Sequence, residues 1–163
     1  MERDYMDTVF ISNFSQLKSI ETKANITLAE DIDCDNAEVE FLAKLFKGKL
    51  DGNGHRIKNL VLTSEIWSDG QVLALFQYLD HATIENVIFD NLIIKADLDG
   101  YKPKISALCH ESMHSKIKNV HIKGHLIGCK DVPMIDTALK GTVEDISFEC
   151  EGKALKNISY DER

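Results

Sequence analysis

Ile57-Lys58-Asn59-Leu60-Val61-Leu62 decides how this chain folds, because the same pattern returns four more times. It recurs as Ile84-Glu85-Asn86-Val87-Ile88-Phe89, Ile117-Lys118-Asn119-Val120-His121-Ile122, Val143-Glu144-Asp145-Ile146-Ser147-Phe148 and Leu155-Lys156-Asn157-Ile158-Ser159-Tyr160. The consensus is aliphatic, polar, Asn or Asp, aliphatic, any residue, large apolar. First residues are separated by 27, 33, 26 and 12 positions, so the first three intervals suit a repeat architecture and the last copy reads as a degenerate end. A straight strand alternates faces with a period of two, yet the apolar positions are 1, 4 and 6, and parity flips between 1 and 4. A bend at positions 2 and 3 lets all three point inward. Asn suits that bend, because it tolerates the left-handed conformation better than other non-glycine residues. The expectation is therefore strand, tight turn, strand, with Asn59, Asn86 and Asn119 stacked in one side-chain amide ladder. Asp145 breaks the ladder, since an ionised carboxylate cannot donate, and Asn157 belongs to the degenerate last copy.

Working outward, an apolar stretch precedes each motif: Leu45-Phe46, Leu73-Ala74-Leu75-Phe76, Ile105-Ser106-Ala107-Leu108 and Pro133-Met134-Ile135. Another follows, as in Asn91-Leu92-Ile93-Ile94 and His125-Leu126-Ile127. Three short strands per repeat describe a mainly β chain wound as a parallel β-helix. A leucine-rich horseshoe lacks its spacing and helical return here. A β-sandwich lacks hairpin signals except Asp51-Gly52-Asn53-Gly54. Near the N-terminus, Asn13-Phe14-Ser15-Gln16-Leu17 carries an N-cap residue with Gln three places on, which predicts a short helix. Ala24-Asn25-Ile26-Thr27-Leu28 alternates as a strand, and Val39, Leu42, Ala43 and Phe46 have the spacing of a second short helix. Solenoid ends need covering, so residues 1–23 are expected as a cap and 24–163 as about four coils of a single domain.

With these residues in view, the chain resembles right-handed parallel β-helix proteins of the GLUG-repeat and polysaccharide-lyase-like type. The resemblance is carried by Ile11-Ser12-Asn13-Phe14-Ser15-Gln16-Leu17, by Ile26-Thr27-Leu28-Ala29-Glu30-Asp31-Ile32-Asp33 and most specifically by Asp51-Gly52-Asn53-Gly54, and it covers about residues 11–160. It implies a right-handed, single-stranded β-helix. The fold hosts enzymes, adhesins and binding proteins alike, so it assigns no activity.

The 163 residues suffice for one domain. The net charge of −8, from 27 acids against 19 bases, argues against general nucleic-acid binding, which needs cations to displace phosphate counterions. Residues 51–130 are balanced, with nine acids and nine bases, and the excess falls on 1–50 (ten against six) and 131–163 (eight against four). Cys34, Cys109, Cys129 and Cys150 lack metal or redox spacing and read as buried reduced thiols. No signal peptide or 20-residue apolar run is evident, so a cytoplasmic location without membrane attachment is expected.

His110/His114 and His121/His125 have four-residue spacing, but these segments read as turn and strand, so the histidines are taken as solvent-facing rather than metal-bound. Cys109-His110 lacks the acid and oxyanion donors of a nucleophile site. No catalytic set, metal or cofactor is expected. The densest charge run is Glu30 to Glu40, whose Asp31, Asp33, Asp35, Glu38 and Glu40 are read either as a solvated acidic loop or as a docking surface for a basic partner. Trp67 lies in a loop and is read either as packed over the core or as an interface anchor. These features predict a non-enzymatic inhibitor, an immunity protein that blocks a basic, nuclease-type toxin domain by occlusion. An anti-defence inhibitor fits the same features, and a small carbohydrate-active or carbohydrate-binding β-helix is the alternative from another class.

Overall fold

The computed structural model describes residues 7–151, 154–155 and 159–161, with side chains described through residue 150. It is mainly β, 59% strand and 3% helix, and its described strand pairings all run parallel. The hairpin reading of Asp51–Gly54 therefore falls. That segment instead turns one strand into the next, with Asn53 and Gly54 both at positive φ.

Parallel pairing arises because the chain returns to the same place after each repeat. One column runs through 25–27, 49–51, 83–85, 116–118 and 142–144, each hydrogen-bonded to the next. A second runs through Ala43–Phe46, Phe76–Asp80, Cys109–Met113, Ile135–Leu139 and Ser159–Asp161. Within the long strands Thr83–Lys95, Lys116–Ile127 and Thr142–Glu151, motif copies pair position by position: Ile84 with Ile117, Val87 with Val120, Phe89 with Ile122, and on to Val143, Ile146 and Phe148. Ile84, Val87, Phe89, Ile117, Val120 and Ile122 are fully buried. Phe46 and Phe76 meet within the same core, ring centroids 5.5 Å apart. The predicted bend explains how all three apolar positions point inward: Asn59, Asn86, Asn119 and Asp145 have φ of 58°, 56°, 55° and 52°.

The single amide ladder is wrong. Ile57 pairs with Phe89, not Ile84, so the first copy sits one corner further round the coil. There are two ladders. In one, Asn119 Nδ2 donates to Asn86 Oδ1 (3.1 Å) and Asn86 Nδ2 to Asp51 Oδ1 (3.2 Å). In the other, Asn91 Nδ2 donates to Asn59 Oδ1 (2.8 Å) and Asn59 Nδ2 to Asp33 Oδ1 (2.9 Å). Each ladder begins on an Asp, where only an acceptor is required. At its other end, Asn119 Oδ1 is met by His121 Nε2 at 3.1 Å, while Asp145 lies 3.7 Å from the same nitrogen. Gly52 occupies the corner beside Asn86 and Val87, where a Cβ would collide with their backbone. The last motif copy, with Asn157, lies outside the described residues.

The short helix forms over Phe14–Leu17, with Asn13 Oδ1 accepting from the Gln16 N–H and Gln16 Oε1 from the Ser12 N–H, a reciprocal cap. Leu17 anchors it in the core. The second helix does not form: Ile32–Val39 and Ala43–Phe46 are strands. The chain bends at Asp35 and Asn36 (φ 51° and 61°), and the break at residues 40–42 between the two strands resets parity between Val39 and Leu42, which mimics helical spacing.

Candidate functional site

The acidic run divides at that bend. Asp31 Oδ1 accepts from the Arg56 N–H at 2.9 Å and lies 3.4 Å from His55 Nδ1; these contacts, led by the Arg56 N–H, hold its carboxyl below the usual range. Asp33 takes the Asn59 amide and the Asp35 N–H, which lower its pKa in that order. These two predicted docking residues thus bind the neighbouring strand. Asp35 is exposed at the bend.

Glu38 and Glu40 take the other path. Pairing of Glu38 with Val61 and Val39 with Leu62 carries Glu40 to the start of the loop that follows Leu62, and the Thr63 N–H donates to Val39 O. There they join Trp67 in a cleft of about 390 Å3, lined also by Val39, Thr63, Ser64, Glu65, Lys95 and Asp97. The Ser64 hydroxyl fixes the wall: it lies 3.1 Å from Glu40 Oε1 and accepts from Gln71 Nε2 at 3.0 Å. Trp67 is half-buried and packs against the core, as the first of its two readings expects. Sequence reasoning passed over Glu65 and Asp97. Glu65 had a signal, two residues from Trp67 in the same loop; Asp97 had none, because only strand register brings it there.

A second groove of about 620 Å3 is more apolar, with Leu98, Tyr101, Pro103, Ile105, Cys129 and Val132 among its lining. The loop after Lys95 separates the two, giving Asp97 to one and Leu98 to the other. Lys102 N–H to Asp69 Oδ1 (2.8 Å) and Gly70 N–H to Lys102 O (3.0 Å) tie this loop to the Trp67 loop.

The solvent-facing assignment fails for His110, which is buried against Tyr78. Its Nδ1 is 3.1 Å from Asp136 Oδ2 but out of line for a hydrogen bond. His121 is half-buried and bonded to Ser147 Oγ at 2.7 Å. His114 is exposed and stacks on His81. The four thiols are free; Cys34 and Cys109 are buried, whereas Cys129 and Cys150 are only partly so. Burial pushes the Cys34 thiol up to about 12 and that of Cys109 higher, so neither supplies a thiolate nucleophile at neutral pH. Among the described residues no three His, Cys, Asp or Glu side chains are placed to hold a metal, and no helix is long and apolar enough to cross a membrane. No protein-family model matches the chain, and no curated protein or solved structure does.

Proposed function

We propose that the chain is a right-handed β-helix of about four coils behind a short N-terminal cap, and that it acts in the cytoplasm as a non-enzymatic inhibitor. In this reading it is an immunity protein that covers the active surface of a basic, nuclease-type toxin domain. The supporting observation is the cleft, where Glu38, Glu40 and Trp67, drawn from separate parts of the sequence, meet Glu65 and Asp97 at a wall fixed by strand pairing. A nuclease presents cations to the phosphate backbone, and an acidic surface with an aromatic anchor is complementary to that face. A preorganised strand scaffold lowers the ordering cost of association, and the net charge of −8 speeds capture. Resistance to an anti-bacterial defence nuclease would use the same surface.

The test is co-expression with a basic nuclease domain encoded beside its gene, followed by gel filtration and a DNA-cleavage assay. The expected result is a complex that survives moderate salt and has lost nuclease activity. Two separate peaks with full cleavage would overturn the reading. Cleavage of an acidic polysaccharide by the isolated chain would favour the carbohydrate-active alternative instead.

A further inference from the structure

We infer that the Trp67 cleft is a pocket for a single arginine side chain of a protein partner. This rests on the reading of the cleft as a docking site, and it specifies what enters. Three observations combine. The cleft is a recess rather than a flat patch, about 390 Å3, which has room for one long side chain. Its one aromatic wall is an indole, the side chain that best attracts a cation over its face. Its charge is uncompensated: Glu38, Glu40, Glu65 and Asp97 face a single ammonium, Lys95.

What sets the cleft apart is the convergence of four carboxylates in one recess. On the strand side Glu85 lies between Lys49 (3.2 Å) and Lys116 (3.7 Å), Asp90 meets Arg56 (3.1 Å), and Asp80 meets Lys47 (3.6 Å). None of the four cleft carboxylates makes an ion pair among the described residues, and Lys95 bridges to none of them. Arginine fits better than lysine. Its planar guanidinium can stack on the indole while its edge donates paired hydrogen bonds to a carboxylate, whereas an ammonium is a point charge with a tight hydration shell. Glu40 is the natural first acceptor, because its carboxylate lies at the cleft wall, 3.1 Å from the Ser64 hydroxyl, whose single proton also has Ile66 O within reach at 2.9 Å.

Trp67 is the only tryptophan in the chain, so its emission reports this cleft alone. The experiment titrates the full chain with N-acetyl-arginine amide, with the lysine counterpart and with the neutral citrulline counterpart, following Trp67 fluorescence. The expected order of response is arginine, then lysine, then citrulline. In a Glu38→Gln/Glu40→Gln variant, the half-saturating arginine concentration should rise about tenfold, as expected for a lost charge-assisted hydrogen bond. Equal responses to arginine and citrulline, or an unchanged titration in the variant, would overturn the pocket. The two proposals fail separately. A nuclease bound with Trp67 emission unmoved and affinity unchanged in the variant sinks the arginine pocket alone. Arginine selectivity in a chain that inhibits no nuclease sinks the inhibitor reading alone.

Discussion

Two sides of this molecule use charge in opposite ways. Where the strands continue past the first corner, Asp33, Lys58, Asp90, Lys123 and Glu149 stand in register, one per pass of the chain, with alternating sign. Each charge has opposite neighbours about 4.8 Å away across the strands. On the loop side, the acids around Trp67 converge without that alternation. The contrast shows that the net charge is not spread evenly in effect. On the strand side, charge favours one register over its neighbours; on the loop side, the four carboxylates make no ion pair among the described residues.

The strongest way to break this comparison is through the core. Phe89 is fully buried beneath the charged ladder, whereas Trp67 is half-buried beneath the loops. Phe89→Ala should cost about 3–5 kcal/mol, and Trp67→Ala less than half of that, read as shifts in urea midpoint. Equal losses would mean that the loop side is as structural as the strand side. The next effect comes from the corners. Asn86→Ala should cost about 2–3 kcal/mol, combining left-handed strain with lost amide bonds, and Asn86→Gly about 1 kcal/mol, because glycine accepts the backbone. Two separate ladders predict that Asn59→Ala and Asn86→Ala add, while Asn86→Ala and Asn119→Ala, bonded to each other, do not.

Smaller again is the charge ladder itself. Lys58→Glu places three carboxylates in a row and should lower stability by about 1 kcal/mol at low salt, with most of the loss recovered in 1 M salt. The same region contributes to the acid limb of the stability curve, as does Asp80, whose carboxyl is also held below the usual range by the neighbouring His81. Asp31 and Asp33 titrate below the ordinary carboxylate value of 3.8 in the folded chain, so what they contribute is present above that pH. It is lost as pH falls below 3.8 through their folded values. Asp33→Asn keeps the acceptor for the Asn59 amide but removes the titration, so its melting temperature should fall less steeply than wild type below pH 4.

The corners at Asn59, Asn86, Asn119 and Asp145 were legible because Asn, Asp and Gly rest easily at positive φ, so those bends are written as letters; the corner at His81, His114 and Lys140 is also at positive φ and carries no such letter. Which corner each letter marks was not legible. Asn59 and Asn86 sit in identical local patterns, and only the pairing of Ile57 with Phe89 separates them. The residues that do this work between the strands of the first ladder, Asp51 and Gly52, carry no Asn to align. The false helix over residues 37–46 has a related cause, since the break at residues 40–42 between two strands separates Val39 from Leu42 and Ala43 at helical spacing. The acidic run was visible as composition, but its division was hidden. Asp33 and Glu38 are separated by one bend, which sends one carboxylate to the Asn59 amide and the other to the Trp67 cleft.

The smallest expected stability change carries the sharpest test of the contrast. Neutralising the cleft with Glu38→Gln/Glu40→Gln removes two charges that the fold does not pair, at positions that stay exposed. Nothing buried is disturbed, and the Ser64 hydroxyl keeps a partner in the amide oxygen at position 40. Folding stability should therefore change by less than about 0.5 kcal/mol, with a slight gain if mutual repulsion dominates. Lys123→Gln on the strand side also alters charge at an exposed position, but it sits in register between Asp90 and Glu149; Asp90 keeps Arg56, whereas Glu149 loses its cross-strand cation. It should cost measurably more, about 0.2–1 kcal/mol, although it removes only one charge. Thermal melts of the two variants at low salt, run side by side, decide the matter. A cleft variant that loses more stability than Lys123→Gln would show that the loop-side acids serve the fold, and the surface would then have no charge to spare for a partner.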